Sequence, residues 1–182
     1  LTSHAMILNY KHWRSLFLVC LGILIGSAFC MKWIESDFLH NDKLFTIIGL
    51  EITYPKEKIV EIFTGITPFV KSVVGYHLAF DFVFMAGVYP GIAALCMMAR
   101  EKRSNKLIRS VLLSAALLQL IAFGCDIIEN IYLLNWLNKP VIGNEFAYFH
   151  WVVAIKWLLA ISGALIAIPL VLKKEIKINP IF

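Results

Sequence analysis

The chain predicts an all-α integral membrane protein, a single four-helix transmembrane bundle. Three observations lead there. Of 182 residues, 60% are hydrophobic and only 16% are charged, and the mean hydropathy is +0.78. The apolar residues gather in four runs, 15–34, 73–99, 107–137 and 146–172, each near the ~20 residues that a helix needs to cross a bilayer. Most of the basic residues cluster at every second boundary of these runs. A soluble domain of this length has too little core to hide so much apolar surface. One transmembrane domain therefore takes in the whole of 1–182.

The first five residues, Leu1 to Ala5, precede Met6 and follow no structural pattern. They read as an expression scar, with Met6 as the native start. The first run has no small-x-small cleavage site and reads as a true helix. In the loop 35–72, Ile59, Ile62, Phe63 and Ile66 recur at helical spacing against Lys56, Glu57, Lys58 and Glu61. That pattern predicts a short amphipathic helix that either lies on the membrane face or caps the bundle mouth, and the mixed charges of its exposed face favour the cap. Pro55 suits its first turn, and Pro68 should bend or end it. Tyr89-Pro90-Gly91 predicts a kink in the second span, because proline removes one backbone hydrogen bond. The third run is long enough to tilt or to project beyond the lipid.

Orientation follows from Lys and Arg. Lys11 and Arg14 precede the first span; Arg100, Lys102, Arg103, Lys106 and Arg109 surround the loop after the second; Lys173, Lys174 and Lys177 follow the fourth. With four spans all three groups share one side, which positive-inside makes cytoplasmic. The loops 35–72 and 138–145 hold seven acids instead and would be extracytoplasmic. The expected place is the inner (cytoplasmic) membrane of the cell, with both termini inside. A pI near 9.0 then reflects topology signals beside anionic lipid rather than nucleic-acid binding. Cys20, Cys30, Cys96 and Cys125 form no C-x-x-C pair, which argues against a disulfide-stapled exterior and a thiol oxidoreductase. No phosphate loop, nucleophile elbow or EF-hand pattern is present.

The residues with chemistry to offer lie inside the spans. His77 and Asp81 belong to the second, Asp126, Glu129 and Asn130 to the third, and His150 and Lys156 to the fourth. At 1.5 Å per residue all lie ~6 to ~16 Å from the extracytoplasmic ends of their spans. His77 and Asp81 share a helix face, as do Asp126, Glu129 and Asn130; Gln119, two turns from Asp126, extends the second stripe. Ionisable groups cost ~2.5–3.5 kcal/mol each in hydrocarbon on insertion scales, so they pair or mark a site. Three carboxylates against one lysine leave a deficit of positive charge, to be met by a proton, a charged histidine or a cation.

Three readings compete. The first is a buried network that only holds the helices together, as in a structural or accessory subunit. The second is a polar-lined cavity in the outer half of the bilayer for a small hydrophobic or lipid-like molecule. His77, Asp81, Asp126, Glu129, Asn130, His150 and Lys156 would line it, and Asp81, Asp126 or Glu129 would serve as acid or base if chemistry follows. The third is an intramembrane metal-dependent enzyme using His77, Asp81, Glu129 and His150. Without an H-E-x-x-H or E-x-x-H pair, and with Lys156 at the same depth, we expect no metal and no cofactor. Lys156 should instead pair with Asp126 or Asp81. The ligand-binding reading is the one adopted. Membrane lipids and a small hydrophobic ligand are its expected partners, a homo-oligomer or membrane complex is a further option, and nucleic acid is not expected. Between Gln119 and the cytoplasmic ends only Ser110, Ser114 and Ser162 interrupt a dry layer, which argues against ion conduction by a monomer.

The Tyr54-Pro55 stretch, Phe80-Asp81, Tyr89-Pro90, the basic loop and Cys125-Asp126-Ile127-Ile128-Glu129-Asn130 together resemble a family of prokaryotic four-helix membrane proteins without an assigned activity. The resemblance covers about 51–137, and D-x-x-E-N is its most specific element. It implies the fold and no mechanism. The layout is also similar to the EXPERA group of sterol-isomerase-like and sterol-binding proteins, in its long first loop, its lysine-rich tail, and an acid two and a half turns before a proline, here Asp81 and Pro90. That likeness implies a cavity for a hydrophobic amine or sterol-like molecule. Asp126-x-x-Glu129 departs from the group's pattern.

Overall fold

A computed structural model describes residues 2–173; Leu1 and the tail lysines Lys174 and Lys177 lie outside the described residues. Four long helices dominate: α1 (Thr2–Ile34), α3 (Pro68–Glu101), α4 (Lys106–Asn138) and α5 (Glu145–Leu172). All four are long and apolar enough to cross a membrane, so the architecture is that of a multi-pass membrane protein. At 33 residues, α4 is about 50 Å long against about 30 Å of bilayer hydrocarbon, so it extends past the lipid as its length predicts.

The helices run up and down. α3, α4 and α5 each pack on the other two, whereas α1 packs along α3 alone. Gly87 and Gly91 make that contact close. A Cβ on Gly87 would stand 2.7 Å from the Leu24 nitrogen and 2.9 Å from the Cys20 carbonyl oxygen, and one on Gly91 would stand 3.2 Å from Cys20 Cβ. This is the small-xxx-small device of membrane helices, in which missing side chains let two backbones touch. Pro90 lies between the two glycines, and α3 continues through it without a break.

At one end of the bundle, basic side chains cap helix C-termini. Lys102 Nζ donates to the Val171 carbonyl at 2.8 Å and Arg103 Nη2 to that of Leu170 at 2.7 Å; Arg109 Nη1 donates to the carbonyls of Arg100 and Arg103. Leu170 and Val171 stand in the last turn of α5, where carbonyls have no partner within the helix, so the Lys102 and Arg103 bonds satisfy otherwise open acceptors. Lys102 also stands over the Tyr10 ring, which brings α1 to the same end. The lysines and arginines read as topology signals are thus partly structural.

The other end carries the long loop. It opens with a hairpin, β1 (Leu39–His40) and β2 (Lys43–Leu44), whose turn residues Asn41 and Asp42 adopt φ of 50° and 59°, the left-handed conformation that tight hairpin turns require. A π-helical turn, Gly49–Thr53, follows, and then α2 (Lys56–Gly65). α2 is the amphipathic helix expected from the sequence. Its Ile59, Ile62 and Phe63 are buried in one cluster with Phe38, Val74, Leu78, Leu133, Trp136 and Phe149, so it covers the end of the bundle. On its exposed face, the Lys58 hydrogen bond holds the Glu61 carboxyl below the ordinary range. Pro68 corrects one expectation. It opens α3 at its first position, after Thr67, whose hydroxyl accepts from the Val70 N–H at 3.2 Å. Pro55 likewise stands just outside α2, as its N-cap.

Replacing Gly87 by leucine should separate α1 from α3 and leave the other three helices together. Cys20, 3% exposed against α3, reports the change. Its alkylation by a membrane-permeant maleimide, located by peptide mass spectrometry, should rise sharply in Gly87→Leu while Cys96 stays protected. Unchanged Cys20 labelling would show that the glycine contact does not hold α1.

Candidate functional site

Lys156 projects from the middle of α5 into the interior of the bundle, where it is 6% exposed. Three carboxylates surround its ammonium. Glu129 Oε2 lies 2.7 Å away, Asp126 Oδ1 3.0 Å and Glu51 Oε2 3.3 Å. Asp126 and Glu129 come from one face of α4, three residues apart. Glu51 comes from the π-helical turn of the loop. The turn is started by Thr46, whose Oγ1 accepts from the Gly49 N–H, and is closed by Tyr54 N–H donating five residues back to the Gly49 carbonyl. Such turns are often found at functional sites.

Two further residues extend the cluster. Tyr89 of α3 donates its hydroxyl to Asp126 Oδ2 at 2.7 Å, so both oxygens of Asp126 are occupied. Asn130, 1% exposed, donates Nδ2 to Asp81 Oδ2 at 2.5 Å. Asp81 is only half-buried and forms the rim of the site. Glu129 is 0% exposed and poorly satisfied. Its contact with Lys156 is close but outside hydrogen-bond angles, and Oε1 has no partner among the described residues. One ammonium cannot balance the carboxylates of Glu51, Asp126 and Glu129. In a region of low dielectric the remaining negative charge calls for a proton or a further positive or hydrogen-bond-donating group.

Of the residues singled out from sequence, Asp81, Asp126, Glu129, Asn130 and Lys156 come together. The expected pair is Lys156 with Asp126, not with Asp81. The two histidines do not join. His77 is buried against the Phe38 ring of the loop, centroids 5.2 Å apart, with Nδ1 unpartnered. The ring of His150 lies edge-on to Phe146 and Phe149 and bonds the Phe146 carbonyl through Nδ1. Both departures follow from helix geometry. Each step of four residues overshoots a turn by about 40°, so the stripe 77, 81, 85, 89 rotates along α3. Its Tyr89 end faces α4 while His77 turns toward the loop. The ligand set considered for metal, with both histidines, is therefore not assembled, and no group of three His, Cys, Asp or Glu poised to hold a metal occurs among the described residues.

Tyr89 and Glu51 were not identified from sequence. Tyr89 lies eight residues after Asp81 and could have been found by following that stripe. Glu51 is 105 residues from Lys156 in the chain, and nothing in the sequence pointed to it: the deficit there is of positive charge, and a further carboxylate deepens it. Comparison with protein-family models, with curated proteins and with solved structures returns no match in any of the three.

Lys156→Met should destabilise the protein by about 3–5 kcal/mol, the usual cost of leaving one side of a buried ion pair uncompensated. Adding Glu129→Gln should recover part of that loss by removing one of the stranded charges. Asp81→Asn, which keeps an oxygen to accept from Asn130, should cost under about 1 kcal/mol. Thermal unfolding in mild detergent checks the order. Equal losses in all three backgrounds would deny Lys156 its central place.

Proposed function

We propose that this protein binds a small hydrophobic or lipid-like molecule through a cationic or hydrogen-bond-donating head group at the Asp81–Asn130–Asp126–Glu129 cluster. The observation that carries the reading is Glu129, a fully buried carboxylate with one oxygen unpartnered, in a cluster holding more negative charge than Lys156 can offset. A group buried at such cost and left incompletely satisfied is more readily explained by use than by stability. Asp81 at the half-exposed rim supplies the approach from the membrane, and Asn130 links it to the interior. Glu51 would close the site from the loop. The EXPERA-like placement of Asp81 nine residues before Pro90 favours the same class of ligand, and one carboxylate could serve as acid or base if the bound molecule reacts.

The second reading is a buried network that only secures the bundle, and the contact of Lys156 with all three carboxylates favours it. One comparison separates the two. The wild-type protein and Glu129→Gln are purified in mild detergent and their contents measured by native mass spectrometry and solvent extraction. On the binding reading the wild type retains one hydrophobic molecule per chain, and Glu129→Gln loses it while melting no lower than the wild type stripped of that molecule. An empty wild type together with a much lower melting temperature in Glu129→Gln would establish the structural role.

We further place the loop end of the bundle outside the cytoplasm, on the strength of the lysines and arginines at the opposite end. An impermeant thiol reagent applied to intact cells should label Glu57→Cys and leave Ser104→Cys untouched. The reverse pattern would invert the topology and put the site in the cytoplasmic leaflet.

A further inference from the structure

The first part of the long loop is built inside out for a segment in water. An antiparallel ribbon with one wet face turns its apolar residues in and its polar ones out. Here Leu39 and Leu44 are cross-strand partners, so they share one face of the hairpin, and that face points away from the protein. His40, on the opposite face, is buried. It lies 3.4 Å from Glu61 and is seated so closely on Gly65 that a Cβ there would overlap its ring. The π-helical turn repeats the pattern, with Glu51 buried on Lys156 and Ile48 and Ile52 facing outward. Leu39, Leu44, Ile48 and Ile52 are between 45% and 64% exposed. α2 does the reverse, burying Ile59, Ile62 and Phe63 and exposing Lys56 and Glu57. Two parts of one loop are thus sorted for different surroundings.

Depth decides what the apolar side meets. Glu51 reaches Lys156 beside Asp126 and Glu129, which lie ~18 and ~14 Å along α4 from its end at Asn138. The turn therefore dips beside the helices, below their ends. In that outer part of the bundle Tyr76, Tyr148 and Trp151 stand exposed on α3 and α5, as aromatic residues do at a membrane interface. We infer that 39–52 is a re-entrant lipid anchor, with Leu39, Leu44, Ile48 and Ile52 seated among the acyl chains of the leaflet at the loop end and α2 facing water above them. The backbone fits this placement. Within the turn, the Leu50 N–H donates to the Thr46 carbonyl at 3.1 Å and the Tyr54 N–H to that of Gly49 at 2.8 Å, so the backbone is satisfied internally, as hydrocarbon demands. The hairpin has open outer edges and belongs at the head-group level, where its polar tip, Asn41, Asp42 and Lys43, meets water and only its leucines reach inward. Both ends of the bundle's chain are remote from this segment, since Lys102 brings Tyr10 and Val171 together at the opposite end. Ile48 and Ile52 stand on either side of Glu51 in the turn, so the lipid that holds them also holds Glu51 on Lys156, whichever molecule the cluster binds.

The unaltered protein can be tested in liposomes doped with a phospholipid that carries a diazirine on one acyl chain. After irradiation, peptide mass spectrometry should find adducts on Ile48 and Ile52 at yields like those of Leu158 and Leu165, which are exposed on α5, and none on Lys56 or Glu57. A second measurement uses nitroxides in protein whose four native cysteines are replaced by alanine. A label on Ile48→Cys should be relaxed several-fold more by dissolved oxygen than by a water-soluble nickel chelate, and one on Glu57→Cys should show the opposite preference. Absence of adducts at 48 and 52 in protein labelled at 158 would overturn the anchor. So would nickel access at 48 equal to that at 57, which puts the segment in water. A nitroxide at 48 shielded from both reagents would overturn it too, because protein rather than lipid would then cover the patch.

Discussion

An ammonium in the hydrocarbon layer has to collect counter-charge from whatever the chain can bring near it, and Lys156 collects it from two places far apart in sequence. Asp126 and Glu129 reach it across the α4–α5 interface, and Glu51 reaches down from the loop. Tyr89 joins from α3 through Asp126. One side chain thereby connects three helices and their covering loop, and it sets the rotation of each about its own axis. If α4 turned by a third of a turn, Asp126 and Glu129 would face lipid. Apolar packing alone specifies such rotation poorly in a membrane, because one leucine surface is much like another.

The same arrangement explains why a loop of more than thirty residues is so fully ordered by its contacts. Glu35 accepts from the Ile47 N–H across a reach of twelve residues while pairing with Lys32, and Phe38 stacks on Phe45 and packs at a tilt against His77. α2 then buries its apolar face over the helix ends. A polar cluster near the end of an uncovered bundle would be open to water, where an ion pair contributes little. Beneath this apolar cover its charges act at short range in a region of low dielectric, whether they bind a ligand or only the protein itself.

The fold could be read from the sequence because hydrocarbon thickness leaves few alternatives for four apolar runs, and because the amphipathic spacing in 56–65 is a local signal of a helix, whose place on the bundle was open between the membrane face and the mouth. The site was half legible. Residues on a single helix face, Asp126 with Glu129 and Asn130, were grouped correctly because helical periodicity is local. His77 was grouped with Asp81 by face and His150 with the others by depth; a face rotates by about 40° at every fourth residue and depth says nothing of direction, so one ring faces the loop and the other its own aromatic neighbours. Glu51 could not have been placed at all, since its position depends on how a turn in the loop comes to lie over a helix made a hundred residues later. Gly87 and Gly91 were present as a small-xxx-small pair, yet attention to Pro90 between them drew the reading toward a kink rather than a helix contact.

The 105 residues between Glu51 and Lys156 bear on how the protein is made. Synthesis proceeds from the N-terminus, so Glu51, Asp126 and Glu129 all leave the ribosome before Lys156, the ammonium that touches them among the described residues. Until α5 inserts, the nascent chain holds α4 in the membrane with two acids unopposed, at a cost that insertion scales place at several kcal/mol. Arrival of the last span discharges that cost and locks the loop in the same event. A chain truncated before α5 would keep Asp126 and Glu129 in α4 without the ammonium that pairs with them, so the network is complete only once the last span is in place.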